Sequence, residues 1–67
     1  MKSRQEIGQE LRELRGEKTR EEVALAVGVT ASSITMYEVG ERVPRDEVKV
    51  ALANYYGKSV GALFFGE

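Results

Sequence analysis

Apolar residues recur along this chain at helical spacing, in short groups that end at a glycine, a proline or a capping residue. Ile7, Leu11 and Leu14 stand at i, i+4 and i+7 and predict a first helix that closes near Arg15. Ser3 and Glu6 ahead of them form a capping box: the hydroxyl takes a backbone N–H three residues on, and the carboxylate reaches back. Gly8 sits inside this helix at a cost of about 1 kcal/mol against alanine; one use for it is close approach by another helix. Thr19 and Glu22 repeat the capping-box pattern, and Val23, Ala24 and Val27 behind them line one face of a second helix. Gly28 stops that helix, because the residue just past a helix end often takes a positive φ that glycine tolerates. Val29 then plugs a tight turn, Thr30 is the next N-cap, and Ile34 and Tyr37 face inward from a third helix over residues 31–39.

Val48, Leu52 and Tyr56, supported by Ala51, Ala53 and Tyr55, predict a fourth helix over residues 46–56 that ends at Gly57. Ser59 caps a short fifth helix with Val60, Leu63 and Phe64 as its apolar contacts. No linker, internal repeat or low-complexity tract breaks the run. The fold class expected is all-α, one five-helix domain over residues 1–67. At its centre, residues 19–40 have the spacing of a helix-turn-helix, whose second helix can enter a DNA major groove.

Composition removes most competing functions. A chain of 67 residues has little room for a core and a substrate pocket together. It contains neither cysteine nor histidine, which excludes disulfides, the usual zinc-ligand sets and histidine acid–base chemistry. The remaining nucleophiles come without an activating motif, and the seven glycines are scattered, most of them near helix ends, rather than gathered in a phosphate loop. A non-enzyme without metal or cofactor is expected, and no small-molecule effector is evident. No apolar run approaches the roughly 18 residues of a membrane span, and the first residues are polar, unlike a signal peptide. These features predict a soluble, cytoplasmic protein.

Charge complicates the picture. Ten basic and eleven acidic residues give a net −1, whereas nucleic-acid binders are usually basic. What a bound duplex feels is the local field, and the basic residues bracket the third helix. Lys18, Thr19 and Arg20 stand at the entry to the second helix, where free N–H groups and the helix dipole favour a phosphate. Arg42 and Arg45 follow the third helix, which itself carries no charge before Glu38. Two positive clamps around a neutral reader fit a division of labour in which phosphate contacts position and base contacts specify. The competing reading of Ser32, Ser33 and Thr35 is an ordinary polar helix face. Glu6, Glu10 and Glu13, with Arg4 and Arg12, read as a solvated face.

Several stretches resemble the DNA-binding domain of the Cro/C1-type phage repressors, the Xre family. Ala24, Gly28, Val29 and Ile34 fall at its helix-turn-helix positions. Tyr37-Glu38-x-Gly40 resembles the signature closing its recognition helix, and Arg42-Val43-Pro44 the loop that follows. Leu52-Ala53 and the run from Ser59 to Phe65 resemble its fourth and fifth helices, so the likeness spans Ile7 to Phe65. It implies a lambda-repressor-like fold, binding of operator DNA, regulation of transcription by repression, and a prokaryotic or phage source. Carried over by position, Thr30, Ala31, Ser32, Thr35 and Met36, with Ser33 beside them, face the bases. Arg20 stands where the family often has a glutamine that touches the DNA backbone. The resemblance also implies a structural pair between Arg15 and Glu38; the alternative is a surface pair worth under about 1 kcal/mol. The reader lacks the Arg, Asn or Gln that make bidentate base contacts.

One recognition helix covers only a few base pairs, and helix-turn-helix dimers answer this by reading two half-sites about one turn apart. A homodimer is therefore expected, with Val60, Leu63, Phe64 and Phe65 as its candidate interface, since adjacent exposed aromatics suggest association. The alternative is that Phe64 packs on the first helix and Phe65 stands in solvent. A second functional class also remains: a protein-interaction module of the same fold, antitoxin-like or an anti-repressor subunit. The acidic balance favours that class and the bracketing arginines oppose it.

Overall fold

A computed structural model describes residues 1–67. Four α-helices follow in order, α1 (Arg4–Arg15), α2 (Arg20–Val27), α3 (Ala31–Glu38) and α4 (Asp46–Tyr56), and a single closing turn, Gly61–Phe65, completes the chain. There are no strands, and no helix is long and apolar enough to cross a membrane. Ile7 and Leu11 from α1, Val23 and Ala24 from α2, Ile34 and Tyr37 from α3, Leu52 and Ala53 from α4, and Leu63 and Phe64 from the closing turn make one buried cluster.

Local chemistry accounts for the helix ends. Ser3 and Glu6 form the full capping box at α1: Ser3 Oγ accepts from Glu6 N at 3.1 Å, and Glu6 Oε1 accepts from Ser3 N at 3.0 Å. Those bonds hold the exposed Glu6 carboxyl below its ordinary pKa. At α2 only half of the expected box is present. Thr19 Oγ1 accepts from Glu22 N at 3.1 Å, but the Glu22 carboxylate does not return to Thr19 N. Both groups are exposed, so water serves them and the return bond has little to add. Gly28 adopts the left-handed conformation at φ +80°, and its N–H and that of Val29 both donate to Ala24 O, which turns the chain into α3.

The contact that sets the helix arrangement lies between α1 and the last turn of α3. A Cβ on Gly8 would fall 2.6 Å from Tyr37 O and closer still to Glu38 O, so only glycine permits this approach. Gly40, buried at φ +81°, lets the chain leave α3 directly over the start of α1. The second helix packs on α3 and α4, and the closing turn packs on α1.

The short fifth helix expected at the end of the chain is present, and its form is a single π-helical turn, Gly61–Phe65, capped by Ser59 Oγ accepting from Ala62 N at 3.0 Å and closed by Gly66 N–H donating to Gly61 O. A π turn separates successive side chains by a smaller angle than an α-helix does, and Leu63 and Phe64 both enter the core, each fully buried. They belong to the chain's own interior, which corrects the expectation that they form an interface between subunits. Val60 is half-buried, and Phe65 remains 41% exposed, its ring under the Lys49 ammonium at 5.1 Å. Lys2 N donates to Phe64 O at 3.1 Å and ties the two chain ends together.

Gly8→Ala tests the α1–α3 contact. Helix propensity alone predicts a gain of about 1 kcal/mol. Collision with two backbone carbonyls predicts a loss of about 1–3 kcal/mol, and urea unfolding of the variant should show the loss.

Candidate nucleic-acid interface

The outer face of α3 is short because the helix has only eight residues. Its N-cap, Thr30, accepts from Ser33 N and donates to Ser33 Oγ, both at 3.1 Å, so these hydroxyls are partly committed to starting the helix. Thr35 Oγ1 donates to Ala31 O at 3.2 Å, which uses its proton internally and leaves a methyl group and an acceptor lone pair. Thr30, Ser32 and Met36 are exposed, while Ala31, Ser33 and Thr35 are half-buried. Ile34 and Tyr37 fall on the opposite, buried face. The outer surface of α3 is therefore small and uncharged, with Met36 as its largest exposed side chain.

Around it stand cations with no partner of their own. Lys18, Arg42 and Arg45 are exposed, and their side chains make no hydrogen bond or ion pair within the chain. Arg45 is the N-cap of α4 and provides no side-chain cap, so the first N–H groups of that helix also face outward unbonded by a side chain. A cleft of about 360 Å³ lies between the α2–α3 turn and the α3–α4 loop, lined among others by Val29, Thr30, Ser33, Arg42 and Arg45. The fold thus brings the start of the reader and the loop arginines to one place, although they are distant in sequence.

A buried ionic cluster lies behind this surface. Arg15 Nε donates to Glu38 Oε2 at 2.7 Å and Arg15 Nη2 to Glu38 Oε1 at 3.1 Å, a two-pronged pair whose side chains are 9% and 3% exposed. Arg15 Nη1 completes its set on Lys18 O at 2.7 Å. Hydrogen bonding to Glu38 raises the Arg15 pKa above its ordinary value against the opposing effect of desolvation. Arg20 joins the same carboxylate, its Nε donating to Glu38 Oε1 at 3.2 Å. Sequence reasoning placed Arg20 at the duplex edge and missed this bond. No local pattern marks it, because the partners stand at the far ends of two successive helices and the turn between them. Tyr56 of α4 lies alongside, and burial, helped by the Glu38 charge, pushes its phenol up to about 12.

A family model for the helix-turn-helix domain matches residues 6–63, and the chain belongs to that family. Its fold is the lambda-repressor-like one of the Cro/C1-type regulators. Among solved structures it is similar to the P22 c2 repressor protein bound to a synthetic operator, with a TM-score of 0.85, 25% identity, and coverage of 91% of this chain and 96% of that one. It is also similar to two structures of the clp gene regulator ClgR from Corynebacterium glutamicum. Their TM-scores are 0.79 and 0.75, each at 27% identity over 90% of this chain, covering 66% and 80% of theirs. No curated protein matches the sequence.

Removing Glu38 would strand the buried charge of Arg15, whereas removing Arg15 leaves Glu38 its bond to Arg20. Glu38→Ala should lower unfolding free energy by about 3–5 kcal/mol and Arg15→Ala by less, each read as a fall in the urea midpoint at unchanged m-value.

Proposed function

We propose that this protein is a DNA-binding transcriptional regulator, a repressor, that reads the major groove of its operator with α3. What carries the proposal is one arrangement: a recognition helix with an uncharged outer face, bracketed by cations without internal partners, on the fold of an operator-bound repressor. Lys18, Thr19, Arg20, Arg42 and Arg45 take backbone phosphates and set the register. Thr30, Ala31, Ser32, Ser33, Thr35 and Met36 meet the base edges, and Arg15 with Glu38 holds the reader in place. The operator is double-stranded DNA bound by a homodimer in the cytoplasm. With Leu63 and Phe64 inside the core, Val60 and Phe65 are what the candidate interface retains.

The reader's chemistry implies what it prefers. No residue of α3 is Arg, Lys, Asn or Gln, so bidentate recognition of guanine or adenine is not available to this helix. Ala31, Met36 and the Thr35 methyl suit thymine methyl groups, and the rest of the selectivity falls to duplex shape. The second reading is a protein-interaction module on the same fold, favoured by the net acidic charge.

Selection of bound duplexes from a random pool at moderate salt tests the proposal. Enrichment of a two-fold symmetric sequence with half-sites about one turn apart is the expected result. No retained duplex at low or moderate salt would overturn it in favour of the protein-interaction module. On the selected site, Arg42→Ala and Arg45→Ala should weaken binding to every duplex and reduce the salt slope by about one each. Replacing each contacted thymine with uracil should weaken binding about fourfold, the value of a buried methyl near 0.8 kcal/mol. Met36→Ala should abolish part of that thymine–uracil difference while leaving the salt slope unchanged.

A further inference from the structure

The ionic cluster holds two cations on one anion, and the charges are not evenly exposed. Arg15 and Glu38 neutralise each other in the interior. The unmatched positive charge therefore belongs to Arg20, whose side chain is 39% exposed. The only side-chain hydrogen bond of Arg20 is Nε to Glu38 Oε1. Both of its Nη groups are without a protein acceptor. Arg20 is the first residue of α2, and Glu38 the last of α3.

We propose that Glu38 is a positioning carboxylate for the DNA contact made by Arg20: it grips one edge of the guanidinium and presents the other edge to a backbone phosphate. The inference rests on the DNA-binding reading and assigns Glu38 a second role beyond its pair with Arg15. A guanidinium is planar and carries its five donors in a fixed fork, so it can serve a carboxylate and a phosphate at once. A free arginine loses rotamer freedom when it captures a phosphate. Here Glu38 has already ordered the side chain in the folded protein, so the contact forms with less entropy left to lose. The bond also links register to reading, because the residue that fixes the phosphate ligand is the final residue of the recognition helix. A lysine at position 20 has the same charge but a single ammonium with no fork, and it can satisfy Glu38 or the phosphate with good geometry, not both.

Arg20→Lys separates this role from charge alone. Binding of the full chain to its selected duplex would be measured against salt for the wild type, Arg20→Lys and Arg20→Ala, with thermal unfolding of each as a control. The expected result is that Arg20→Lys falls close to Arg20→Ala, both about tenfold weaker than wild type, and that Arg20→Ala loses about one unit of salt slope. A purely structural role would lower the unfolding midpoint and leave the slope unchanged, which would overturn the proposal. Arg20→Lys binding within about twofold of wild type would also overturn it, because charge would then suffice. The Arg20 Nε–H resonance adds a direct readout: it should stay protected from exchange in the free and the DNA-bound protein. Loss of that protection on adding duplex would mean that Arg20 abandons Glu38 for the phosphate, and the bridging role would fall. If the wild type retained no duplex at all, the DNA-binding reading and this inference would fall together, whereas failure at the Arg20→Lys step overturns the inference alone.

Discussion

The last turn of α3 is where this small fold is held, and it is held twice by α1. Gly8 and Arg15 stand seven residues apart, two turns along one face of that helix. The first lets the backbones approach until no side chain fits between them. The second reaches the Glu38 carboxylate with two donors. Leu11, between them on the same face, is buried. A buried ion pair gains little net stability, since desolvation offsets most of the attraction. Its effect is directional, because the forked geometry is satisfied at one orientation of α3 on α1. With Arg20 on the same carboxylate, the three helices of the amino-terminal half meet at a single residue. The orientation of the reading surface follows from that meeting.

Periodicity and capping made much of this legible in advance. Ile7, Leu11, Val23, Ala24, Ile34, Tyr37 and Leu52 were read as inward-facing from spacing alone, and each is buried. Gly28 was read as a helix stop and lies at a left-handed φ. Gly8 was read as a weakness with one possible use, and the close approach to Glu38 supplies it. These features are legible because each depends on residues within one or two turns of one another. The Arg20–Glu38 bond depends on how α2 crosses α3, and no window of sequence contains that crossing. The Thr30 cap is legible in the sequence and present in the structure, whereas the commitments of the Ser33 and Thr35 hydroxyls are not, since composition records a hydroxyl but not its hydrogen-bond partner.

The carboxy-terminal run admits two readings from sequence, and the structure matches the one with Phe64 inside and Phe65 outside. Two adjacent aromatics on an α-helix point about 100° apart, and a domain of this size has little interior to receive both. That is why Phe64 and Phe65 also suggest an interface. The wider turn at Gly61–Phe65 instead sends Leu63 and Phe64 inward together and leaves Phe65 outside, under the Lys49 ammonium. The bond from Lys2 N to Phe64 O then seals the ends of the chain, so the closing turn completes the core that supports α1. The exposed Phe65 ring is not simply unpartnered, because the buried lysine over it, paired at 3.6 Å with Asp46, holds its ammonium against the ring face.

The acidic net charge loses much of its weight once the charges are located. Glu38 is neutralised internally, and Glu10 is bridged by Lys2 at 2.7 Å. Screening limits the field of an exposed charge to roughly 8–10 Å at physiological salt, so acids on the far side of α1 contribute little at the surface of α3. What a duplex would meet there is a neutral patch with cations at its borders, and the exposed Glu21, Glu41 and Glu47 nearby would weaken the attraction. A neutral patch has a physical advantage, because docking it against base edges strands no unpaired charge in a dry interface. Its limitation comes from the same source: with no forked donor or acceptor on α3, each base pair is distinguished weakly. Discrimination would have to accumulate over two half-sites and through the duplex shape that the flanking arginines hold in register. On the proposed function, a second subunit would supply what this particular recognition helix lacks.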